Sequence, residues 1–561
     1  MSNPQVNQTI TDGALGTLGP SSKRVQALIG PCSAGAPNSV SSFGNLKALQ
    51  TACGLGAVVE AAAIALKAGP VLVVPALPSV ASSVGSTTLV GSGTGTVTLG
   101  KALDRTISVK IGTGGTLGTA TFQISIAGGA YGPLATTGAS GPYQYRVPGA
   151  PLVVLAFAAG TYVAGDVYAI ALNGTITRTG TGTATLLNGT TFEALDSFAV
   201  QVLIATSGAA SVGVFQYSLD GGIDMSPNIL IPSSGNYVIP GSGVQLTFAG
   251  TFTKGDLYTG TVTGPSCSNS DVVAALNALK ADPRTWFLVH VVATPTSASN
   301  SASLAAAVDA IMSAMEGVFR YARAIVECPK DDDIGGSNTD ALAFTAFANY
   351  ANTRLSVGLG DLQLVSLLTG LTQRRNVAWA YCARLASIAP GEDAAWVGRG
   401  PLPGVAGLYR DEASTPGGND QRFVTATTLI GVQGYYITNP VTMAPYGSDF
   451  NLMQYCRIID ITLTTARGVL LTELNSSVRI DLKTGYIDPR DAQRIESKVL
   501  SAIKAAVVAT GDSSGAYFTV NRQTNLLSTS EEATTTRVVP LAYLKQIDND
   551  VGLLNPALVA A

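Results

Sequence analysis

The chain has 561 residues, a formal net charge of −3, and only 12% charged residues against a usual share of about 25%. That is the reverse of a disordered chain, which is rich in charge and poor in apolar residues, and it leaves no basic footprint for nucleic acid. A chain this long is expected to divide into about three or four domains. Its weakly charged, apolar, Gly/Thr/Ser-rich composition suits a polypeptide that assembles with copies of itself.

The opening MSNPQVNQTITDGALGTLG has no basic start followed by an apolar stretch, so no signal peptide is expected. No run approaches the roughly 18 apolar residues of a spanning helix. Two helical patterns follow, FGNLKALQTACG and VVEAAAIALKAG, closed by Gly69-Pro70. VLVVPALP then reads as a short strand covered on both faces. Gly54-Leu55-Gly56 looks superficially like a dinucleotide fingerprint, but a helical pattern precedes it and the third glycine is missing. It reads as the turn between two helices.

Next comes a β-rich stretch that occurs twice. Residues 93–168 contain GTGTVTL, FQISIAGG, VPG and LAFAAGTYVAGDVY; residues 180–258 contain GTGTATL, FQYSLDGG, IPG and LTFAGTFTKGDLY. Phe122 pairs with Phe215, Pro148 with Pro240 and Asp166 with Asp256. Matching segments in one order read as a tandem duplication of a small domain, divided at about 83–175 and 176–265. Alternating strands and the glycine pairs Gly128-Gly129 and Gly221-Gly222 predict antiparallel sandwiches or barrels with hairpin turns.

The helix–strand rhythm then resumes. DVVAALNALK and residues 302–324 read as helices, TWFLVHVV and AIVECP as buried strands, residues 339–354 as a helix and SVGLG as a strand. RNVAWAYCARLASIAP suits either a strand or a helix. Alternation of this kind predicts an α/β layer with a largely parallel sheet. His290, the only histidine, sits inside a buried strand pattern and reads as a core residue. Asp331-Asp332-Asp333 lacks the alternating ligand spacing of a calcium loop and reads as a loop tip. Cys32, Cys53, Cys267, Cys328, Cys382 and Cys456 form no CxxC pair and read as buried thiols of a protein made in a reducing cytosol. With no P-loop, no GxSxG elbow and no histidine to spare, the sequence offers no active site, metal site or cofactor site.

The last third begins with strand patterns and a long helix starting near Ser448 or Asp449, whose buried face is Leu452, Cys456, Ile459, Leu463, Ala466 and Leu470. A second helix starts at Asp488-Pro489 and buries Ile495, Val499, Ala502, Ile503 and Ala506. Arg490, Arg494 and Lys498, each four residues apart, form a basic ridge beside that stripe. Strand patterns AYFTVNRQ and TTTRVVPLAYLKQI and a tail, DNDVGLLNPALVAA, follow.

Several of these segments resemble the contractile tail sheath proteins of bacteriophages and related injection machines: Gly434-Tyr435-Tyr436-Ile437; Met443 with Gly447-Ser448-Asp449 before a helix carrying Arg457-Ile458-Ile459-Asp460; Gly485-Tyr486-Ile487-Asp488; Pro540-Leu541; and Ile29-Gly30-Pro31-Cys32 ahead of VLVVPAL. The resemblance covers roughly residues 23–80 and 266–561. It implies an α/β core of the subtilisin-like sheath type at 23–82 and 266–405, and an α+β C-terminal domain at 406–547 next to the inner tube. The all-β tandem repeat at 83–265 would be an outward-facing insertion. Extended arms at 1–22 and 548–561 would add strands to neighbouring subunits. It further implies a non-enzymatic structural protein of the virion tail, made in the host cytoplasm and stacked in hexameric rings. Its partners would be copies of itself, the inner tube protein, and baseplate and tail terminator proteins, with no direct nucleic-acid contact and no membrane insertion. In that scheme Arg490, Arg494 and Lys498 are candidates to face the tube, and Val538, Val539, Leu541 and Tyr543 to form an inter-subunit strand. A secreted adhesin or surface-layer protein, and an enzyme with a carbohydrate-binding insertion, remain the alternatives.

Overall fold

Six strands form one sheet in the order Ser41–Phe43, Val71–Pro75, Gln26–Gly30, Leu288–Val291, Arg323–Cys328, Leu355–Leu359. All neighbours are parallel except the first pair. This computed structural model describes residues 25–139, 142–173, 176–179, 191–293, 295, 297–328 and 340–553. The aspartate run at 331–333, the predicted arm at 1–22 and most of the arm at 548–561 lie outside them. The five parallel strands are buried along their whole length, mostly apolar, with helices over both faces. Ala27, Ile29, Leu72 and Val74 pack with the helices Asn269–Ala281, Ala298–Gly317 and Asp340–Phe347. Leu28, Val71 and Val73 pack on the other face with Leu46–Cys53, Ala57–Ala65 and Trp379.

Local sequence sets the helix starts. Asn45 accepts from the Ala48 amide at 2.8 Å, and Ser268 and Asp271 form a reciprocal capping box. Gly54 and Gly56, at φ +70° and +127°, turn the chain between the first two helices, as the sequence suggested. Asn376 caps Val377–Ser387, which resolves the ambiguous segment as a strand, Thr372–Asn376, running into a helix.

Two domain limits read from sequence are corrected. The core does not end at 405: Val405–Leu408 pairs with Asp361–Val365, and the amides of Val424 and Met443 bond to the carbonyls of Val357 and Leu355. Residues 406–456 thus satisfy backbone groups of the core that would otherwise stay open. The chain divides instead between Cys456 and Arg457, inside the Met453–Leu470 helix. The first unit holds residues up to Ile388 with Ala394–Cys456; the second holds Ala389–Asp393 and the residues from Arg457 onward. That helix starts later than predicted because Ser448 spends its side chain on a turn, accepting from the Phe450 amide. Leu463, placed on its buried face by periodicity, is exposed.

Within the first unit Arg410 is fully buried. It donates to Asp340 Oδ2 at 2.9 Å, Glu412 Oε2 at 2.5 Å and the Thr415 carbonyl at 2.9 Å. Glu412 also accepts from the amides of Gly417 and Asn419 at 2.9 and 3.1 Å.

The inserted region forms two β-modules, each with two sheets closing on one apolar core. In one, the sheet Ile176–Thr179, Val167–Ile170, Ile107–Thr113, Thr121–Ile126, Ala135–Thr136 packs with Tyr143–Arg146, Val153–Phe157, Thr191–Phe192. In the other, Ile229–Leu230, Val214–Ser218, Phe198–Thr206 and Leu257–Thr263 pack with Asn236–Ile239, Val244–Ala249 and Thr96–Lys101. The division at 175/176 is therefore the second correction. Ser83–Val84 and Thr88–Val90 pair with Leu257–Thr263, and Thr96–Lys101 pairs with Val244–Ala249. Reciprocally, Ile176–Thr179 pairs with Val167–Ile170, and Thr191–Phe192 with Val153–Phe157. Each leading strand segment completes the sheets of the module it does not precede in sequence. One module, 103–192, thus interrupts the other, and the interruption is pinned at its neck by Lys101 and Glu193, 2.8 Å apart.

Aromatic rings line both cores in the same order. Phe122 meets Phe157 at 4.5 Å and Tyr145 at 4.9 Å, while Phe215 meets Phe248 at 4.6 Å and Tyr237 at 5.3 Å. The ladder continues through Tyr162 to Tyr168 at 6.4 Å and through Phe252 to Tyr258 at 6.0 Å.

Candidate assembly surface in the C-terminal unit

The second unit is built on the helix Pro489–Ile503. Asp488 caps it by accepting from the Arg490 amide at 2.8 Å, and proline occupies its first turn, where no amide partner is needed. Ala492, Ile495, Val499 and Ile503 are buried against Ile487, Ala516, Phe518 and Val520. The predicted stripe members Ala502 and Ala506 are only half-buried.

The structure keeps the basic ridge together but partly neutralises it. Arg494 and Lys498 both reach Glu473, at 2.9 and 2.7 Å, and Lys498 also donates to Thr472 at 2.9 Å. The hydrogen bond from Lys498, and then that from Arg494, hold the Glu473 carboxyl below its ordinary range. Asp491 is held low chiefly by the Arg479 amide, which it accepts at 2.8 Å. Glu496 turns away to the Val520 amide and Arg522. Arg490 is exposed, with no ion-pair partner among the described residues. Sequence reasoning missed Glu473, since it lies 21 and 25 residues from its partners and no local period connects them.

Val538 and Val539 stand in the strand Thr534–Pro540, which pairs with Ser513–Val520 of the same chain, opposite Ala516 and Gly515. Their strand therefore has an intrachain partner on one edge; among the described residues its other edge has no strand partner. The burial alternation of Ser513–Val520 sends Ala516, Phe518 and Val520 inward and leaves Tyr517 exposed.

Leu541 and Tyr543 lie beyond the hairpin in a segment without regular secondary structure. The Tyr543 hydroxyl donates to the Gly391 carbonyl at 2.7 Å, and Lys545 forms an ion pair with Asp393. The Gly391 amide donates to Asp512 at 2.9 Å, and a Cβ at Gly391 would collide with the Asp512 backbone, so that contact requires glycine. Within and past this latch Leu544, Ile547, Val551 and Leu553 are each more than three-quarters exposed.

No three potential metal-ligating side chains cluster among the described residues, and no helix there is long and apolar enough to cross a membrane. His290 is buried within Leu288–Val291, with Nε2 3.4 Å from Glu327.

The chain belongs to a family described as DUF2586, N-terminal domain, whose profile matches residues 3–440. Solved structures similar to it include two crystallographic sheath tail proteins. One, from Desulfitobacterium hafniense, is 10% identical, with 96% of this chain and 100% of that one covered and a TM-score of 0.41. The other, from Listeria innocua, is 13% identical, with 92% and 95% covered and a TM-score of 0.41. The sheath of an extracellular contractile injection system in its contracted state is also similar, at 12% identity, 49% and 74% coverage and a TM-score of 0.36. No curated protein matches the sequence.

Proposed function

We propose that this chain is the subunit of a contractile tail sheath, polymerising around an inner tube and shortening to drive that tube through a target envelope. The observation that carries the reading is the end of the second unit. A two-stranded hairpin whose outer edges have no strand partner among the described residues leads into a segment whose large apolar side chains are bare in the single chain. Exposed apolar side chains beside an unpaired strand edge suit burial against another copy by strand addition. The sheath-like motifs around Tyr435, Arg457 and Tyr486 support the same reading.

In this reading the α/β body is the subtilisin-like sheath layer, and copies stack as hexameric rings with a helical offset. The two β-modules are copies of one ancestral domain, a view supported by their matched ring ladders, and they project outward. Arg490 and its ridge face the tube protein, and the finished particle is a phage tail or a related injection device made in a bacterial cytoplasm. Energy for shortening comes from the difference in subunit contacts between two lattices, summed over many copies.

Electron microscopy of the full chain, with and without removal of residues 541–561, tests this. The full chain should form ringed tubes or polysheaths, and the truncated chain should stay folded but unassembled. Discrete particles from the full chain, or tubes from both, would overturn the proposal.

A further inference from the structure

Arg375 lies at the end of a core strand, almost wholly buried, with its guanidinium 4.7 Å from the ring centre of Trp379. It donates to Asp196 Oδ1 at 3.1 Å and Oδ2 at 2.6 Å, and also to Glu60 Oε2 and Gln373. Two carboxylates thus face one cation. Glu60 Oε1 and Arg375 Nε, both buried, have no hydrogen-bond partner among the described residues. A negative charge in excess and an orphaned carboxylate oxygen are costly in a buried setting unless a proton or another cation completes the set. Burial, opposed by Arg375 and reinforced by Glu60, pushes the Asp196 carboxyl above its ordinary range, so the shortfall is felt there.

A cleft of about 310 Å³ opens between the outer β-module and the core at this cluster. Glu60 and Asp196 are among its lining, with apolar walls from Leu55, Leu195, Phe198 and Leu368. Sites for small organic ligands have this make-up, mostly apolar with a few convergent polar groups.

We propose that this cleft binds an organic cation, an alkylguanidinium or alkylammonium head on an apolar stem. The head meets Glu60 and Asp196 and supplies the missing positive charge; the stem lies against the leucines and Phe198. The same chemistry is offered by a free small molecule and by an arginine or lysine side chain of another polypeptide.

Calorimetry on the full chain tests it with three probes: butylguanidine, its neutral counterpart butylurea, and acetyl-arginine amide. Butylguanidine should bind saturably and butylurea should not. Acetyl-arginine amide binding as tightly would point to a side chain as the natural occupant, and its exclusion to a free small cation. Glu60→Gln keeps the shape and should weaken butylguanidine about tenfold or more. Should that variant fold poorly, Leu368→Trp keeps every charge while filling the cleft, and it should abolish binding. No saturation by butylguanidine up to about 10 mM, equal binding of butylurea, or unchanged binding in a folded Glu60→Gln or Leu368→Trp protein would overturn the proposal.

Discussion

Replacing Arg410 with methionine keeps much of the side chain's apolar length but strips the cation from between Asp340 and Glu412. Both carboxylates are buried, and Arg410 itself has no exposed side-chain surface. Removing one partner from such a group strands the other charges, which costs about 3–5 kcal/mol. Arg410→Met should therefore lower the stability of the first unit by that amount at pH 7, read from urea unfolding by circular dichroism. Replacing Arg410, Asp340 and Glu412 together with apolar residues of similar size should recover most of the loss, because the desolvation penalty leaves with the charges. Acid supplies a second readout. Burial alone would push the Glu412 carboxyl up, but the hydrogen bond from Arg410 and the Asn419 amide outweigh it and hold it below its ordinary range. A depressed folded pKa contributes stability that is complete above the unfolded value, about 4.3 for glutamate, and is lost as pH falls through the folded value. In Arg410→Met, Glu412 loses the hydrogen bond that holds its carboxyl low, so the gap between variant and parent should narrow from pH 7 toward pH 4. A loss below about 1 kcal/mol at pH 7, or a gap that does not change with pH, would refute the argument.

Excising residues 102–192 and joining Lys101 to Glu193 should leave the outer module and the core folded, whereas excising 83–175 should unfold the remaining module by stripping Thr96–Lys101 from its sheet; equal melting curves for the two deletions would count against the nested arrangement. Gly391→Ala forces a methyl into the Asp512 backbone and should destabilise the second unit by about 1–3 kcal/mol, seen as a lower melting transition. Arg490→Glu touches no ion pair among the described residues and should leave subunit stability within about 0.5 kcal/mol while slowing sheath growth around tubes, with the effect shrinking at high salt; an unchanged growth rate would remove Arg490 from the tube face.

Much of this fold was legible because its signals are local. VLVVP is apolar throughout and LVHV apolar but for His290, and both become strands covered on both faces, while Asp488-Pro489 opens a helix by its own chemistry. What stayed hidden depends on pairing across distance. The GTGTVTL run reads as the start of the first repeat, yet Thr96–Lys101 pairs with Val244–Ala249 nearly 150 residues later. Strand periodicity says which face a residue takes but not which edge it joins. The ridge was visible as three basic residues at helical spacing; Glu473, which binds two of them, was not. The latch of Tyr543 and Lys545 onto Gly391 and Asp393 spans 152 residues, and no motif marks either end.

The module within a module also orders events on the ribosome. A chain made at about 5–20 residues per second has all the strands of the 103–192 module soon after Phe192 emerges. The surrounding module must wait for Leu257–Thr263, and Gln26–Gly30, which can pair early with Val71–Pro75, waits for its other neighbour, Leu288–Val291, until the whole insertion has been made. Structure therefore closes from the innermost bracket outward, and Gln26–Gly30 waits longest for its second neighbour. The hairpin of Ser513–Val520 and Thr534–Pro540, with the apolar residues after it, follows every strand of the first unit in the chain, so the surface proposed to meet other copies is made after the layers beneath it.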